Sequence, residues 1–285
     1  MNIENRTVLT ADGLRLAVTR LPGGARAPVI CIPGLTRNAA DFEAAALKIS
    51  REGRDVFAIS LRGRGASNYD RHYLNYQPLV YRDDIIAALD QLEIARAIFI
   101  GTSLGGIVSM LVNEAAPDRV SGVVLNDIAP DLAPQGLARI SGYVGAAAAA
   151  GPAASLEEAT DRVRAINEIV FPDLSDADWT AFARRTFRPL PDGRWALDHD
   201  PNIARALAEL GPAPNLWPAF DALGDTPTLI VRGETSDLLT PAIVERMRAR
   251  HQGFDYVETP GVGHAPMLTE SAAWGALKAF LDRLD

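Results

Sequence analysis

Short apolar segments alternate along the chain with segments whose apolar residues recur at helical spacing, as Ile85, Ile86 and Leu89 do. The predicted strands are 7–10, 14–20, 29–32, 56–59, 97–100, 120–125, 228–231 and 254–258. The predicted helices are 41–51, 81–92, 104–116 and 272–284, with another that begins at Pro241. This alternation predicts an α/β fold, with an eight-stranded, mostly parallel sheet and helices on both faces.

An aspartate and a glycine, Asp12 and Gly13, separate the first two predicted strands. This dipeptide between two strand-like segments is a strong hairpin signal, because its residues adopt the left-handed conformation that a tight turn needs. We therefore expect an antiparallel strand at one edge of the sheet.

Residues 129–225 interrupt the alternation. They contain helical patterns at 156–170, 176–187 and 201–210, bounded by prolines, and no strand segment of comparable quality. The simplest interpretation is a helical cap inserted into a core formed by residues 1–128 and 226–285.

Gly101, Ser103 and Gly105 form a G-x-S-x-G motif between a predicted strand and a predicted helix, the context that a nucleophile elbow requires. The sharp turn raises the serine hydroxyl above the carboxyl edge of the sheet, and small residues on either side avoid a clash. The N-terminus of the following helix offers amides and a positive dipole end to a developing oxyanion. The alternative is a glycine-rich connector with a helix-capping serine.

A serine nucleophile needs a base. The chain has four histidines, and His264 is the one that follows the last predicted strand in a glycine-rich loop. The base in turn needs a carboxylate to orient it. We favour Asp237, which follows strand 228–231 and gives the chain order Ser103, Asp237, His264. Asp127, after strand 120–125, is the second candidate; it could instead line the pocket.

Composition narrows the class of function. The 285 residues carry 28 Lys and Arg against 36 Asp and Glu, a net charge of −8, without the basic stripe that nucleic-acid binding needs. One cysteine, Cys31, excludes an internal disulfide and a multi-cysteine metal site. No stretch resembles a secretory signal or reaches the roughly 18 apolar residues of a membrane span. We expect a cytoplasmic protein that binds neither nucleic acid nor membrane.

These motifs together resemble the α/β-hydrolase fold superfamily, and within it the capped serine hydrolases of the esterase and enol-lactonase type. The resemblance implies an oxyanion hole formed by the backbone amides of Leu104 and Leu35. Many relatives carry His-Gly where this chain has Pro33 and Gly34, so a hydrogen bond from that histidine is lost here.

Substrate contacts are harder to assign. Arg37, Asp127 and Trp217 are candidates, although Arg37 could equally pair with Asp41. In the insertion, Arg184, Arg185 and Arg188 could clamp a substrate carboxylate or form a solvated helix face. Trp179 and Trp195 could line an apolar pocket, but packing is the commoner use of tryptophan.

The leading hypothesis is a serine hydrolase that cleaves a carboxylic ester or lactone of a small molecule, without cofactor or metal, as a monomer or homodimer. One alternative is a carbon–carbon bond hydrolase of an aromatic-degradation pathway. Relatives of that class often have tryptophan after the histidine, where this chain has Ala265. The other alternative is a non-hydrolytic small-molecule receptor on the same fold.

Overall fold

The computed structural model describes residues 3–210, 215–251 and 253–284. Within these ranges the strands are β1 (Glu4–Leu9), β2 (Arg15–Ile32), β3 (Arg54–Ile59), β4 (Ala97–Thr102), β5 (Val120–Asn126), β6 (Phe187–Pro189), β7 (Trp195–Leu197), β8 (Thr228–Gly233) and β9 (Phe254–Thr259). The α-helices are α1 (Glu43–Arg51), α2 (Pro78–Gln91), α3 (Leu104–Ala115), α4 (Pro134–Ala150), α5 (Leu156–Asn167), α6 (Asp176–Thr186), α7 (Asn202–Glu209), α8 (Trp217–Asp221), α9 (Pro241–Arg250) and α10 (Ser271–Leu281).

The main sheet has β1 at one edge and β9 at the other, in the order β1-β2-β4-β5-β8-β9, with β3 also paired to β2. The long β2 lies along β3 twice. The first half of β2 runs antiparallel to β3, with Val18 opposite Ile59. The second half of β2 runs parallel to β3, with Val29 opposite Val56. Counting the two halves separately gives the predicted eight strands. The antiparallel β1–β2 hairpin at the edge also confirms the signal of the aspartate–glycine pair.

Helices cover both faces of the sheet because alternate strand residues point to opposite sides. In β2, Ile30 and Ile32 pack into one core with α2, α3 and α9. The intervening residue Cys31 packs into a second core with α1 and α10. Two buried layers of this kind confirm the predicted mostly parallel sheet with helices on both sides.

The segment between β5 and β8 contains α4 to α8 and a small hairpin, β6–β7. Part of it has an apolar core of its own, in which Phe171, Trp179 and Phe182 pack together. The sequence shows no strand segment of comparable quality in this region, so the hairpin was not predicted. Each of its strands has three residues, too few for a period of two to be visible in the sequence. The insertion boundaries at 129 and 225 stay a prediction.

The parallel strands β4, β5, β8 and β9 end at the same edge of the sheet. β5 and β8 are direct neighbours there, with Asn126 opposite Val231. Loops that follow these strands therefore meet at one place, which is where parallel α/β sheets carry their binding sites.

Candidate active site

Ser103 occupies the turn between β4 and α3. Its backbone has φ 51° and ψ −119°, with φ in the positive range that a non-glycine residue rarely adopts. Its amide donates to the carbonyl of Asn126 on β5 over 2.9 Å, which holds the turn against the sheet. A strained backbone fixed by its surroundings is a common feature of functional sites.

The two glycines of the motif are required by close packing. A Cβ atom at Gly101 would lie 2.3 Å from the carbonyl oxygen of Gly105. A Cβ atom at Gly105 would lie 1.9 Å from the carbonyl oxygen of Ile32 on β2. Both distances are far inside van der Waals contact, so the prediction that small residues must flank the serine is confirmed.

His264 lies in the loop after β9, as its place in the sequence predicts. Its Nε2 is 3.0 Å from the Oγ of Ser103, a hydrogen-bonding distance between a base and a hydroxyl. The imidazole is largely buried, and the neighbouring Gly263 donates its amide to the carbonyl of Val170 in the insertion. The loop is therefore anchored on the side opposite the sheet.

Asp127 is the carboxylate that contacts the histidine. Its Oδ2 is 2.7 Å from His264 Nδ1, and the side chain is completely buried. Two groups of the loop after β8 also donate to it, the amide of Gly233 to Oδ1 over 2.8 Å and the hydroxyl of Ser236 to Oδ2 over 2.6 Å. A serine, a histidine and an aspartate thus form one hydrogen-bonded chain.

The preference for Asp237 as the orienting acid is wrong. Its two carboxylate oxygens accept from Arg139 of α4, from Nε over 2.5 Å and from Nη2 over 2.8 Å. The hydrogen bonds from Arg139 hold the pKa of Asp237 below its ordinary value. The carboxylate therefore points toward the insertion, and the second candidate, Asp127, takes the place beside His264.

The loop after β2 carries one of the two amides expected at the oxyanion hole. Its Leu35 carbonyl accepts from Nε and Nη2 of the buried Arg64 over 2.9 and 2.8 Å, and the amide of Arg37 closes a turn onto Gly34. Within the described ranges, neither the Leu35 amide nor that of Leu104, the first residue of α3, donates to a protein acceptor. Their oxyanion role stays a prediction.

A cavity of about 130 Å³, the serine cavity, lies over Ser103 and His264. The loop after β2 forms one wall, and the insertion forms another through Tyr143, Phe182 and Arg185. A second cavity of about 400 Å³, the insertion cavity, adjoins it and shares Tyr143 and Phe182. The second cavity is lined mainly by apolar groups. The Ser103–His264 pair and a sheltered apolar space therefore lie side by side.

A profile of the alpha/beta hydrolase family matches residues 29–276, from the second half of β2 into α10. The chain belongs to the alpha/beta hydrolase family. The matched residues include the serine turn, both acid loops and the histidine loop, so the hydrogen-bonded chain lies in the part that defines the family.

Three similar proteins match this hydrolase over most of their length. It is 30% identical over 253 residues to the 3-hydroxybutyrate-oligomer hydrolase of Cupriavidus necator, covering 86% of this chain and 84% of that one. It is 28% identical to the 2-(acetamidomethylene)succinate hydrolase of Mesorhizobium japonicum, over 88% and 86% of the two chains. An alpha/beta hydrolase of Novosphingobium aromaticivorans superimposes with a TM-score of 0.90 at 39% identity, over 99% and 98% of the chains.

Two of the candidates for substrate contact have other partners in this hydrolase. Arg37 lines the serine cavity, but its guanidinium is engaged by Asp41, the pairing that the sequence left open. Trp217 lines neither cavity. It is half-buried in α8, edge-on to Phe220 and 5.2 Å from the guanidinium carbon of Arg250. The expectation that Trp217 contacts substrate is therefore not supported, since its ring is used for packing.

The three arginines of the insertion have different surroundings. Arg185 lines the serine cavity, whereas Arg184 lies on the exposed side of α6 with its guanidinium carbon 5.7 Å from the ring centre of Trp195. Arg188 lies in β6 and is exposed. Trp179 is buried in the core of the insertion, so its ring is used for packing.

Sequence reasoning missed the groups that hold Asp127, Asp237 and Leu35 in place. Ser236 supports Asp127, Arg139 occupies Asp237, and Arg64 fixes the Leu35 carbonyl. Arg64 belongs to an Arg-Gly-Arg-Gly sequence that is visible as a motif. The pairing of Arg139 leaves no local signal, because its partner is 98 residues away.

Metal-binding clusters and membrane-spanning helices are both absent from the described residues. No group of three or more His, Cys, Asp or Glu side chains is arranged to hold a metal ion there. In the same part of the chain, every helix is too short or too polar to cross a bilayer.

Proposed function

We propose that this hydrolase cleaves a carboxylic ester or lactone of a small molecule through an acyl-enzyme on Ser103. The observation that carries the proposal is the continuous hydrogen-bonded chain from Ser103 Oγ through His264 to Asp127, with links of 3.0 and 2.7 Å. A serine alone is a weak nucleophile, and this chain supplies both the base and the group that orients the base.

In the first half of the reaction, Ser103 Oγ attacks the carbonyl carbon while its proton passes to His264 Nε2. Asp127 accepts from Nδ1–H, which keeps Nε2 free to act as the base and stabilises the imidazolium that forms. The imidazolium then protonates the leaving alcohol as the tetrahedral intermediate collapses to the acyl-enzyme.

In the second half, His264 removes a proton from water, and the water oxygen attacks the acyl carbon. The tetrahedral intermediate then collapses: the bond to Ser103 Oγ breaks, the imidazolium returns its proton to that oxygen, and the acid leaves. Each tetrahedral intermediate carries an oxyanion next to the N-terminus of α3. We assign the stabilisation of that charge to the amides of Leu104 and Leu35 and to the positive end of the helix dipole.

The similarity to the 3-hydroxybutyrate-oligomer hydrolase supports an ester as the substrate. Hydroxy acids join to one another by condensing a hydroxyl with a carboxyl, so the bonds between them are esters. The chemistry of the Ser103 site is suited to the same kind of bond.

The test uses excess 4-nitrophenyl acetate with wild type and Ser103→Ala. In wild type we expect either turnover or a burst of 4-nitrophenol equal to the enzyme concentration. In the variant the rate should fall by about six powers of ten and the burst should be absent. Ser121→Ala is the matched control, because Ser121 is a β5 residue whose hydroxyl has no partner among the described residues. A folded Ser103→Ala protein that keeps more than about a tenth of the rate would overturn the proposal.

A further inference from the structure

Two guanidinium groups and one carboxylate share a wall of the serine cavity. Arg37 and Asp41 come from the residues that follow β2, and Arg185 comes from the end of α6 in the insertion. All three line the cavity that contains Ser103 and His264. The wall therefore carries an excess of positive charge beside the reacting atoms.

Arg37 is fully engaged by the protein. Its Nε and Nη2 donate to the two oxygens of Asp41 over 2.6 and 2.5 Å, and its Nη1 donates to Thr186 over 2.5 Å. Its guanidinium also lies over the ring of Phe182, with 4.5 Å from Cζ to the ring centre. Each of the three guanidinium nitrogens of Arg37 thus donates to Asp41 or Thr186, so Arg37 has few donors left for a ligand.

Arg185 is in the opposite situation. Its Nε is 3.7 Å from an oxygen of Asp41, beyond hydrogen-bond distance, and no other described group accepts from this solvent-inaccessible nitrogen. Burial lowers the pKa of the Arg185 guanidinium, and the charge of Arg37 acts in the same direction, whereas the charge of Asp41 opposes both. The group still remains a cation, because arginine keeps its proton in proteins.

The other acids near Arg185 do not accept hydrogen bonds from it. Glu43 and Asp178 act on it through their charge, but both side chains are exposed and neither lines the cavity. Asp178 accepts instead from Ser175 in the cap of α6. The Nε of Arg185 is thus buried without an acceptor, while the side chain as a whole is 27% exposed and lines the cavity, where a bound anion can supply hydrogen bonds.

We propose that Arg185 binds a carboxylate of the substrate, so that the ester or lactone cleaved at Ser103 also carries a free acid group. This inference rests on the proposed function for the identity of the cleaved bond. A carboxylate offers arginine two parallel acceptors, and the apolar side chains of Phe171 and Phe182 on the same cavity limit competition from water.

Two matched substrate pairs test the proposal, one for each side of the ester. Mono-4-nitrophenyl glutarate against 4-nitrophenyl pentanoate places the carboxylate on the acyl side, and 3-acetoxybutanoate against its primary amide places it on the alcohol side. In wild type we expect kcat/KM to favour the acid by about tenfold or more in at least one pair, mainly through KM.

The variants are Arg185→Met, which removes the charge, and Arg185→Lys, which keeps it without the planar fork. We expect the acid preference to disappear in Arg185→Met and to be reduced in Arg185→Lys. Arg184→Met, on the exposed side of the same helix, is the control and keeps the wild-type ratio. Using the ratio of two substrates cancels any general effect of a substitution on the reacting residues.

A wild type without acid preference in both pairs, or an Arg185→Met protein that keeps the preference, would overturn the inference. Binding separates this failure from that of the proposed function. Calorimetry of butanoate and butanamide on Ser103→Ala needs no turnover. Tighter binding of butanoate that is lost in Ser103→Ala with Arg185→Met supports the site even if no ester is cleaved, and equal binding of the two ligands contradicts it.

Discussion

The loops after β5 and β8 are alike in sequence position and different in what they do. Each follows a buried parallel strand, the two strands are neighbours, and each loop carries an aspartate at the same edge of the sheet. Asp127 is buried against His264, whereas Asp237 is about one-third exposed and paired with Arg139. Strand order alone therefore does not decide which acid serves a base.

The two loops also cooperate, because the loop without the orienting acid supports the one that has it. The amide of Gly233 and the hydroxyl of Ser236 both donate to Asp127. With His264 they give this carboxylate three partners in a site shielded from water, where such hydrogen bonds are strongest. A loop at a sheet edge can therefore support a site through its backbone and hydroxyl donors although its own acid pairs elsewhere.

The largest expected effect is from Asp127→Asn. An amide can still accept from Gly233, but its NH₂ would face His264 Nδ1 and favour the tautomer whose Nε2 carries the proton. Such a base cannot take the proton of Ser103, so we expect kcat to fall by about 10⁴-fold. The assay is 4-nitrophenyl acetate hydrolysis under saturating conditions.

Far-UV circular dichroism and thermal unfolding of Asp127→Asn provide the control for folding. A folded variant with at least a tenth of the wild-type kcat would show that Asp127 does not orient the histidine. It would also contradict the different roles assigned to the two loops.

A smaller effect is expected from Ser236→Ala. The substitution removes one donor to Asp127 Oδ2 but leaves the contacts to Gly233 and His264. The less firmly held carboxylate should lower kcat by about tenfold with little change in KM, in the range seen when a supporting hydrogen bond around a site is lost. Ser121→Ala, measured alongside, should match wild type; a KM effect without a kcat effect in Ser236→Ala would place Ser236 outside this role.

The smallest effect on activity is expected from Asp237→Asn, which should stay within about threefold of wild type because the acid contacts Arg139 and not the histidine. Its effect is on stability. A partly exposed pair of this kind contributes about 0–1 kcal/mol to the free energy of unfolding at neutral pH.

The pH dependence of that contribution has a definite sign. Arg139 lowers the pKa of Asp237 in the folded protein, so the contribution is present above the unfolded pKa of about 3.9 and is lost as pH falls through the lower folded value. Urea unfolding of wild type and Asp237→Asn at several pH values measures this. A stability difference that grows as the pH falls would contradict the assignment.

Much of the site could be predicted because it depends on local sequence. The turn is predictable from its G-x-S-x-G motif, because the backbone admits no larger side chain at Gly101 and Gly105. His264 could be found because one histidine follows the last strand. The eight strands follow from apolar segments that alternate with amphipathic helices.

The choice between the two acids could not be predicted, because it depends on side-chain directions set by distant partners. Asp127 has a positive φ of 54° and its side chain reaches His264, and a sequence shows neither feature. Arg139 reaches Asp237 from α4, a helix in the segment where the sequence pattern is least regular. Arg185 likewise enters the site only because the insertion folds over the sheet edge.

The most direct test of the account is the proton NMR signal of His264 Nδ1–H. A proton shared with a buried carboxylate is strongly deshielded, so we predict a far-downfield resonance in wild type that persists in Asp237→Asn and disappears or moves upfield in Asp127→Asn. A resonance that survives in Asp127→Asn and is lost in Asp237→Asn would show that the acid after β8 orients the histidine, and would contradict the account.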